Sequence, residues 1–225
     1  MKRQTTLRFT GASRATDTPR SREVRMSLSG DATALLVVDM QNGFLDPAGS
    51  MARMGMPHES LQPAIAGCER LVAGARAAGI PVIFTRYVYL PGHLDGGLLP
   101  TELLPQMREV DALVTGTWDA EIIPALTPRS GEVVIDKSRP SSFYGTQLEP
   151  VLTSQGIRQL VIAGVTTNIC VETTARDAGQ RDYRVHVPAD ACAEYDVARH
   201  DHALTTIGFT FGWVTSVEDV LAHWS

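Results

Sequence analysis

Only three cysteines, Cys68, Cys170 and Cys192, stand in 225 residues. An odd, sparse set excludes a disulfide scaffold and suits a reducing compartment, where a thiol stays free to react. No apolar run approaches the roughly 18 residues a membrane span needs. The N-terminus also lacks an apolar stretch of signal-peptide type, so a cytoplasmic location is expected and a membrane partner is not. The histidines are His58, His93, His186, His200, His202 and His223, with no His-x3-His spacing among them. His200 and His202 are two apart on a predicted helix and face different ways, so no metal site is expected. The absence of Gly-x-Ser-x-Gly removes the usual serine-hydrolase elbow. No phosphate-cradling glycine loop follows the first strand, which argues against a nucleotide cofactor; no cofactor of any kind is expected.

Charge is unevenly spread. The formal net charge is −5, yet residues 1–29 hold seven basic residues against two acidic ones. The remainder carries 13 basic against 23 acidic residues, and so acidic a body is a poor partner for nucleic acid. Residues 1–30, rich in Ser, Thr and Arg and without periodicity, read as a flexible basic arm. Residues 31–225 read as one domain.

Within that domain, apolar runs of strand length alternate with helical patterns. Strands are expected at 34–39, 82–85, 132–136, 159–163, 184–188 and 213–215. The helix after the first strand places Leu61, Ile65, Cys68 and Val72 on one face and stops at Gly79. Further helices are expected at 145–154, 168–180, 196–207 and 217–223. Residues 88–106, loose and rich in Pro and Gly, read as a loop or lid. Continuous apolar strands imply cover on both faces, hence a three-layer, Rossmann-like α/β fold whose parallel sheet has about six strands flanked by helices.

In such a sheet, ligands bind beyond the carboxyl ends of the strands. Asp39, Lys137 and Cys170 each follow a strand, so topology brings a carboxylate, an ammonium and a thiol to one edge. Taken singly, each has a plainer explanation as a turn acid, a solvated cation or a small buried hydrophobe; their joint position is what points to chemistry. Cys170 is expected in the first turn of a helix capped by Thr167 or Asn168. There the helix dipole and a nearby ammonium favour the thiolate. Free N–H groups at the same helix end can hold an oxyanion. Cys68 reads as core, and Cys192 has no evident chemical partner. Gln41, Phe44, Arg86, Trp118, Arg139, Phe143, Tyr144, Val165 and Asn168 are the candidates for lining the substrate pocket.

Three blocks, Val37-Val38-Asp39-Met40-Gln41-Asn42-Gly43-Phe44, Asp136-Lys137-Ser138-Arg139-Pro140-Ser141-Ser142-Phe143 and Gly164-Val165-Thr166-Thr167-Asn168-Ile169-Cys170-Val171, resemble the signature blocks of the isochorismatase-like cysteine hydrolases. The resemblance runs from about residue 32 to the end. It implies that Asp39 is the general base, Lys137 the orienting cation and Cys170 the nucleophile. It further implies a non-proline cis peptide before Thr166, an oxyanion hole made by the N–H groups of Thr166 and Cys170, and a homo-oligomer, dimer or tetramer. Isochorismatase itself lacks the cysteine, so Cys170 points to acyl transfer. The metal motif of nicotinamidases is absent from Thr85-Arg86-Tyr87-Val88-Tyr89. Gly116-Thr117-Trp118-Asp119, Lys137-x-Arg139 and Phe211-Gly212-Trp213-Val214 are similar to the ureidoacrylate, biuret and N-carbamoyl amidohydrolase branch. The expected substrate is a small ureido, carbamoyl or carboxamide compound. The alternatives are an amide of nicotinamide or maleamate type, a non-catalytic binding protein on the same fold, and thiol redox chemistry, for which no resolving cysteine lies close to Cys170.

Overall fold

Two runs form the centre of the molecule. Thr33–Val38 (β1) and Gln159–Val165 (β4) are buried along their whole length, as apolar strands must be when helices cover both sheet faces. In the computed structural model, which describes residues 32–225, they pair in parallel. Val82–Tyr87 (β2) and Val133–Lys137 (β3) extend the sheet on one flank, and Arg184–Pro188 (β5) and Trp213–Thr215 (β7) on the other. A two-residue strand, Cys192–Ala193 (β6), pairs with the end of β4. The strand order is β3-β2-β1-β4-β5-β7, parallel throughout. The expected α/β sheet is therefore present. Its additional strand, β6, is too short to leave a periodic signal. The expected basic arm lies outside the described residues.

The longer helices are Pro63–Ala77 (α1), Leu148–Ser154 (α2), Glu172–Gln180 (α3), Val197–Thr206 (α4) and Val217–Trp224 (α5). Right-handed crossovers decide their layers. The chain steps from β1 outward to β2 and β3, so α1 covers one face. It then crosses back to β4 and continues to β5 and β7, so α2, α3 and α4 cover the other. Helix α5 returns beside α1, where Arg70 meets Glu218 at 2.7 Å. Helix α1 opens with Pro63 at its first turn, where a missing N–H costs nothing.

Two local expectations need correction. The helix expected from 145 begins at Leu148, because Gly145 takes φ +66° and the chain is still turning there. The third strand is not buried on both faces. It is an edge strand that alternates, with Ile135 and Lys137 inward and Val134 and Asp136 outward.

His186 of β5 is buried and stacks on Trp213 with ring centroids 5.1 Å apart. Burial, reinforced by His223 and Arg184, pushes its imidazole down to about 4. The unfolded chain binds this proton below about 6.5. Stability from the neutral ring is therefore complete above that pH and is lost as pH falls towards 4, to a full extent of about 3 kcal/mol. Urea unfolding of His186→Phe is expected to lose this part of the acid destabilisation between pH 6.5 and 4. Parallel pH profiles for variant and wild type would refute it.

Candidate active site

Strand order reverses between β1 and β4, where helices diverge to opposite faces and a crevice opens beyond the strand ends. Asp39 leaves β1 into it, and the segment Thr166–Cys170 leaves β4. The two strands approach closely at this point. Gly164 has φ +125°, and a Cβ there would lie 2.1 Å from the Val38 carbonyl oxygen, so only glycine lets the chains meet. Lys137 arrives from farther away, at the end of β3 and in register with Tyr87 of β2. Its stem spans that strand, with Nζ 4.3 Å from the centre of the Tyr87 ring.

The three side chains meet. Asp39 adopts φ +53°, a conformation aspartate tolerates better than most residues. Thr85 Oγ1 donates to Asp39 Oδ1 at 2.7 Å. Lys137 Nζ stands 2.7 Å from Asp39 Oδ2, both side chains being fully buried. The same ammonium donates to the Arg139 carbonyl at 3.1 Å and to Cys170 Sγ at 3.5 Å. The ammonium thus has one carboxylate as counter-ion and two further acceptors, which is how the charge is accommodated away from water.

The Val165–Thr166 peptide is cis, as the resemblance implied. Cys170 follows in a wide turn, Thr167–Val171, that runs into α3. The N–H groups of Ile169 and Val171 go to the Thr166 carbonyl. That of Asn168 goes to Glu194 Oε2. Neither Thr167 nor Asn168 caps the helix as expected. Thr167 Oγ1 instead shares a 2.8 Å hydrogen bond with His200 Nδ1.

The thiol also departs from expectation. Burial pushes the Cys170 thiol well above its ordinary value, outweighing the pull of Lys137, and Asp39 adds to the rise. Burial therefore opposes a standing thiolate, so attack by the sulfur calls for a base to take the proton. The neighbouring carboxylate is placed to take it.

The other candidates scatter. Gln41 is a frame residue: its amide donates to the carbonyls of Tyr87 and Ala120 and accepts the Tyr87 N–H, so both its N–H bonds are committed. Arg86 forms a two-pronged pair with Asp136 at 2.7 and 2.8 Å on the outward face of β2 and β3. Phe44 and Val165 are buried in the core. Phe143 packs on Tyr183 and under the Arg181 guanidinium. Trp118 is half exposed, and its carbonyl accepts from Asn42. Asn168 sits in the nucleophile turn.

Arg139 holds down the 88–106 segment by donating to the Asp95 carbonyl at 2.8 Å. Tyr89 and His93 are buried anchors of that segment, while Leu94, Leu98 and Leu103 stay on its surface. Arg139 and Tyr144, the latter 68% exposed, join Tyr89, Leu90, Asp95 and Lys137 around a cleft of about 320 Å³.

Three neighbours of the site escaped sequence reasoning: Thr85, Tyr87 and Tyr89. They recur every second residue and so share a strand face, which is the signal that could have found them. Tyr89 donates to the Tyr87 hydroxyl at 3.1 Å. Burial raises both phenols, that of Tyr89 to about 12, and both feel Cys170. Among the described residues, no group of three His, Cys, Asp or Glu is arranged to hold a metal ion, and no helix is long and apolar enough to cross a membrane.

Comparison with known proteins agrees with this geometry. Residues 33–219 match the model of the isochorismatase domain. The chain is 38% identical over 205 residues to the ureidoacrylate amidohydrolase RutB of Methylorubrum extorquens, covering 85% of this chain and 82% of that protein. It is also 38% identical to RutB of Pseudomonas syringae pv. syringae, covering 86% and 84%. Among solved structures, a cysteine hydrolase from Pseudomonas syringae pv. phaseolicola superposes with a TM-score of 0.81 at 31% identity, covering 88% of this chain and 94% of that one. N-carbamoylsarcosine amidase from Thermoplasma acidophilum gives 0.66 at 28% identity, covering 83% and 97%.

Proposed function

The chain belongs to the isochorismatase family, and from that premise we propose that it is a cysteine-dependent amidohydrolase cleaving a small ureido or carbamoyl C–N bond. The observation that carries the reading is the closed contact of Asp39, Lys137 and Cys170 at the β1/β4 crevice. The relatives' names supply the substrate class.

Asp39 takes the Cys170 proton, and Sγ attacks the ureido carbon. The C=O electron pair moves to oxygen, where the N–H groups of Thr166 and Cys170 receive it. The oxyanion collapses, the C–N bond breaks, and protonated Asp39 returns its proton to the departing nitrogen. A carbamoyl or acyl thioester remains on Cys170. Water, losing a proton to Asp39, attacks it. The C–S bond then breaks and the thiol is restored. Lys137 keeps carboxylate and sulfur in register throughout. The cleft by Arg139 and Tyr144 supplies the part of the pocket that accommodates the rest of the substrate. The same reading has the enzyme in the cytoplasm as a dimer or tetramer, whose contacts would cover surface side chains such as Phe209 and Val197, 88% and 75% exposed.

The test is ammonia release from ureidoacrylate, biuret, N-carbamoyl amino acids, nicotinamide and maleamate. One ureido compound is expected to be turned over with kcat/KM at least about a hundredfold above nicotinamide, because a site built around a polar group rejects analogues lacking it. Preference for nicotinamide or maleamate would overturn the substrate class, and silence on every compound would overturn the activity.

A further inference from the structure

The end of β4 pairs with β6 in the register Gly164↔Cys192 and Val165↔Ala193. The next residue on the β6 side, Glu194, therefore comes level with Thr166, at the entry to the turn that carries Cys170. Its side chain is fully buried. Oε2 accepts the Asn168 N–H at 3.1 Å, and Oε1 accepts the N–H of Tyr195 at 2.9 Å. Among the described residues, the cation at the carboxylate is Arg199, whose Nη2 is 3.6 Å from Oε1 and whose side chain is half exposed. One residue along the turn, Thr167 is joined to His200. The segment from Glu194 to His200 thus grips the nucleophile turn at two consecutive residues, from the side opposite Asp39 and Lys137.

Burying a carboxylate is costly unless good hydrogen bonds repay it. A purely architectural link between β6 and the turn would be served as well by a neutral acceptor. The carboxylate differs in having acceptors on both oxygens, so it can hold two backbone N–H groups at once, each through a charge-assisted bond. One of these belongs to the stretch Thr166–Cys170, whose two end N–H groups must converge on the oxyanion.

We infer that Glu194 is a positioning residue for this reaction: by clamping the Asn168 N–H it sets the turn so that the N–H groups of Thr166 and Cys170 face the developing oxyanion. The inference rests on the cysteine-hydrolase reading above. Glu194 acts on the turn through the Asn168 N–H.

Glu194→Gln is the discriminating variant. It keeps the size and shape of the side chain but replaces one acceptor oxygen with an NH2 group, which then faces a backbone N–H. The turn loosens while the core is intact. With the ureido substrate the wild type prefers, kcat is expected to fall about tenfold to a hundredfold, the range that a small misplacement of reacting groups costs. KM should stay within about threefold, since ground-state contacts are untouched. His200→Ala, a partly exposed change that releases the second grip, is expected to give a smaller loss of kcat, again at nearly constant KM.

A second readout needs no substrate. Alkylation of Cys170 by iodoacetamide, followed by mass spectrometry, should speed up at least about fivefold in Glu194→Gln, because a buried thiol reacts as fast as its turn opens. If the wild type hydrolyses nothing, the amidohydrolase reading fails, and alkylation alone decides the role of Glu194. Values of kcat and alkylation rate within twofold of wild type in Glu194→Gln overturn the inference. So does a rise in KM at constant kcat. If Glu194→Gln does not fold, the same criteria pass to His200→Ala.

Discussion

Replacing Cys170 by alanine is expected to lower kcat/KM by about a thousandfold or more, with no detectable covalent intermediate. The size of the loss follows from what remains. Asp39 and Lys137 stay paired at 2.7 Å without the sulfur, and the backbone N–H groups of the turn are unchanged. The variant can therefore still bind substrate and polarise its carbonyl, but a water must replace the nucleophile without a built place for it. The fold should barely notice. Removing one sulfur from a packed interior costs on the order of 1–2 kcal/mol in lost contacts. Lys137 gives up only its longest hydrogen bond, 3.5 Å to Sγ. Ammonia release and thermal unfolding, measured together, separate the two effects. Mass spectrometry of wild type quenched during turnover should find a carbamoyl or acyl adduct on Cys170. Activity above a few per cent of wild type in Cys170→Ala would mean that Asp39 activates water directly and that no thioester forms.

The catalytic candidates were legible because parallel strands all deliver their carboxyl ends to one edge. Any acid, amine or thiol placed directly after a strand is brought there whatever the strand order. Strand order itself was not legible, and neither were the features that depend on it. The alternation of β3 was masked by the apolar Val133-Val134-Ile135 run, although Val134 faces outward at the sheet edge. Glu194 lies 24 residues beyond Cys170, and only the register of a two-residue strand carries it back to the nucleophile turn. The effect of burial on the thiol was not legible for a related reason. A helix start and a nearby lysine are readable from sequence and both favour thiolate. Burial is a property of the packed whole, and here it pushes the thiol the other way and outweighs the pull of Lys137. The pocket candidates fared unevenly because side-chain type says little about direction. Gln41 and Arg86 look like ligands for a substrate carbonyl or carboxylate, yet one is spent on backbone groups and the other on Asp136.

Lys137→Met is expected to abolish turnover and also to destabilise the fold by about 3–5 kcal/mol, the usual cost of removing one partner of a buried ion pair. Methionine matches the lysine stem closely enough to fill the space above Tyr87, so little of that cost comes from packing. It comes from Asp39. In wild type the carboxylate receives Thr85 Oγ1 on one oxygen and the ammonium on the other. Without Lys137 the buried carboxylate keeps one hydroxyl donor and has lost its counter-ion. A paired change should therefore be gentler than the single one. Asp39→Asn combined with Lys137→Met removes both charges, and the double variant is expected to unfold at higher urea concentration than Lys137→Met alone. The coupling energy from the four-protein cycle should be about 2–3 kcal/mol, at the high end for residues in contact. Activity should not return with stability, because the double variant has neither a base for the thiol nor a cation to hold it. Stability effects that simply add would show that the pair is not coupled in the folded protein. Recovery of turnover along with stability would show that its role is architectural, and Asp39 would lose its place as the base. Stability that recovers while turnover does not is the result that separates holding the site together from carrying the proton.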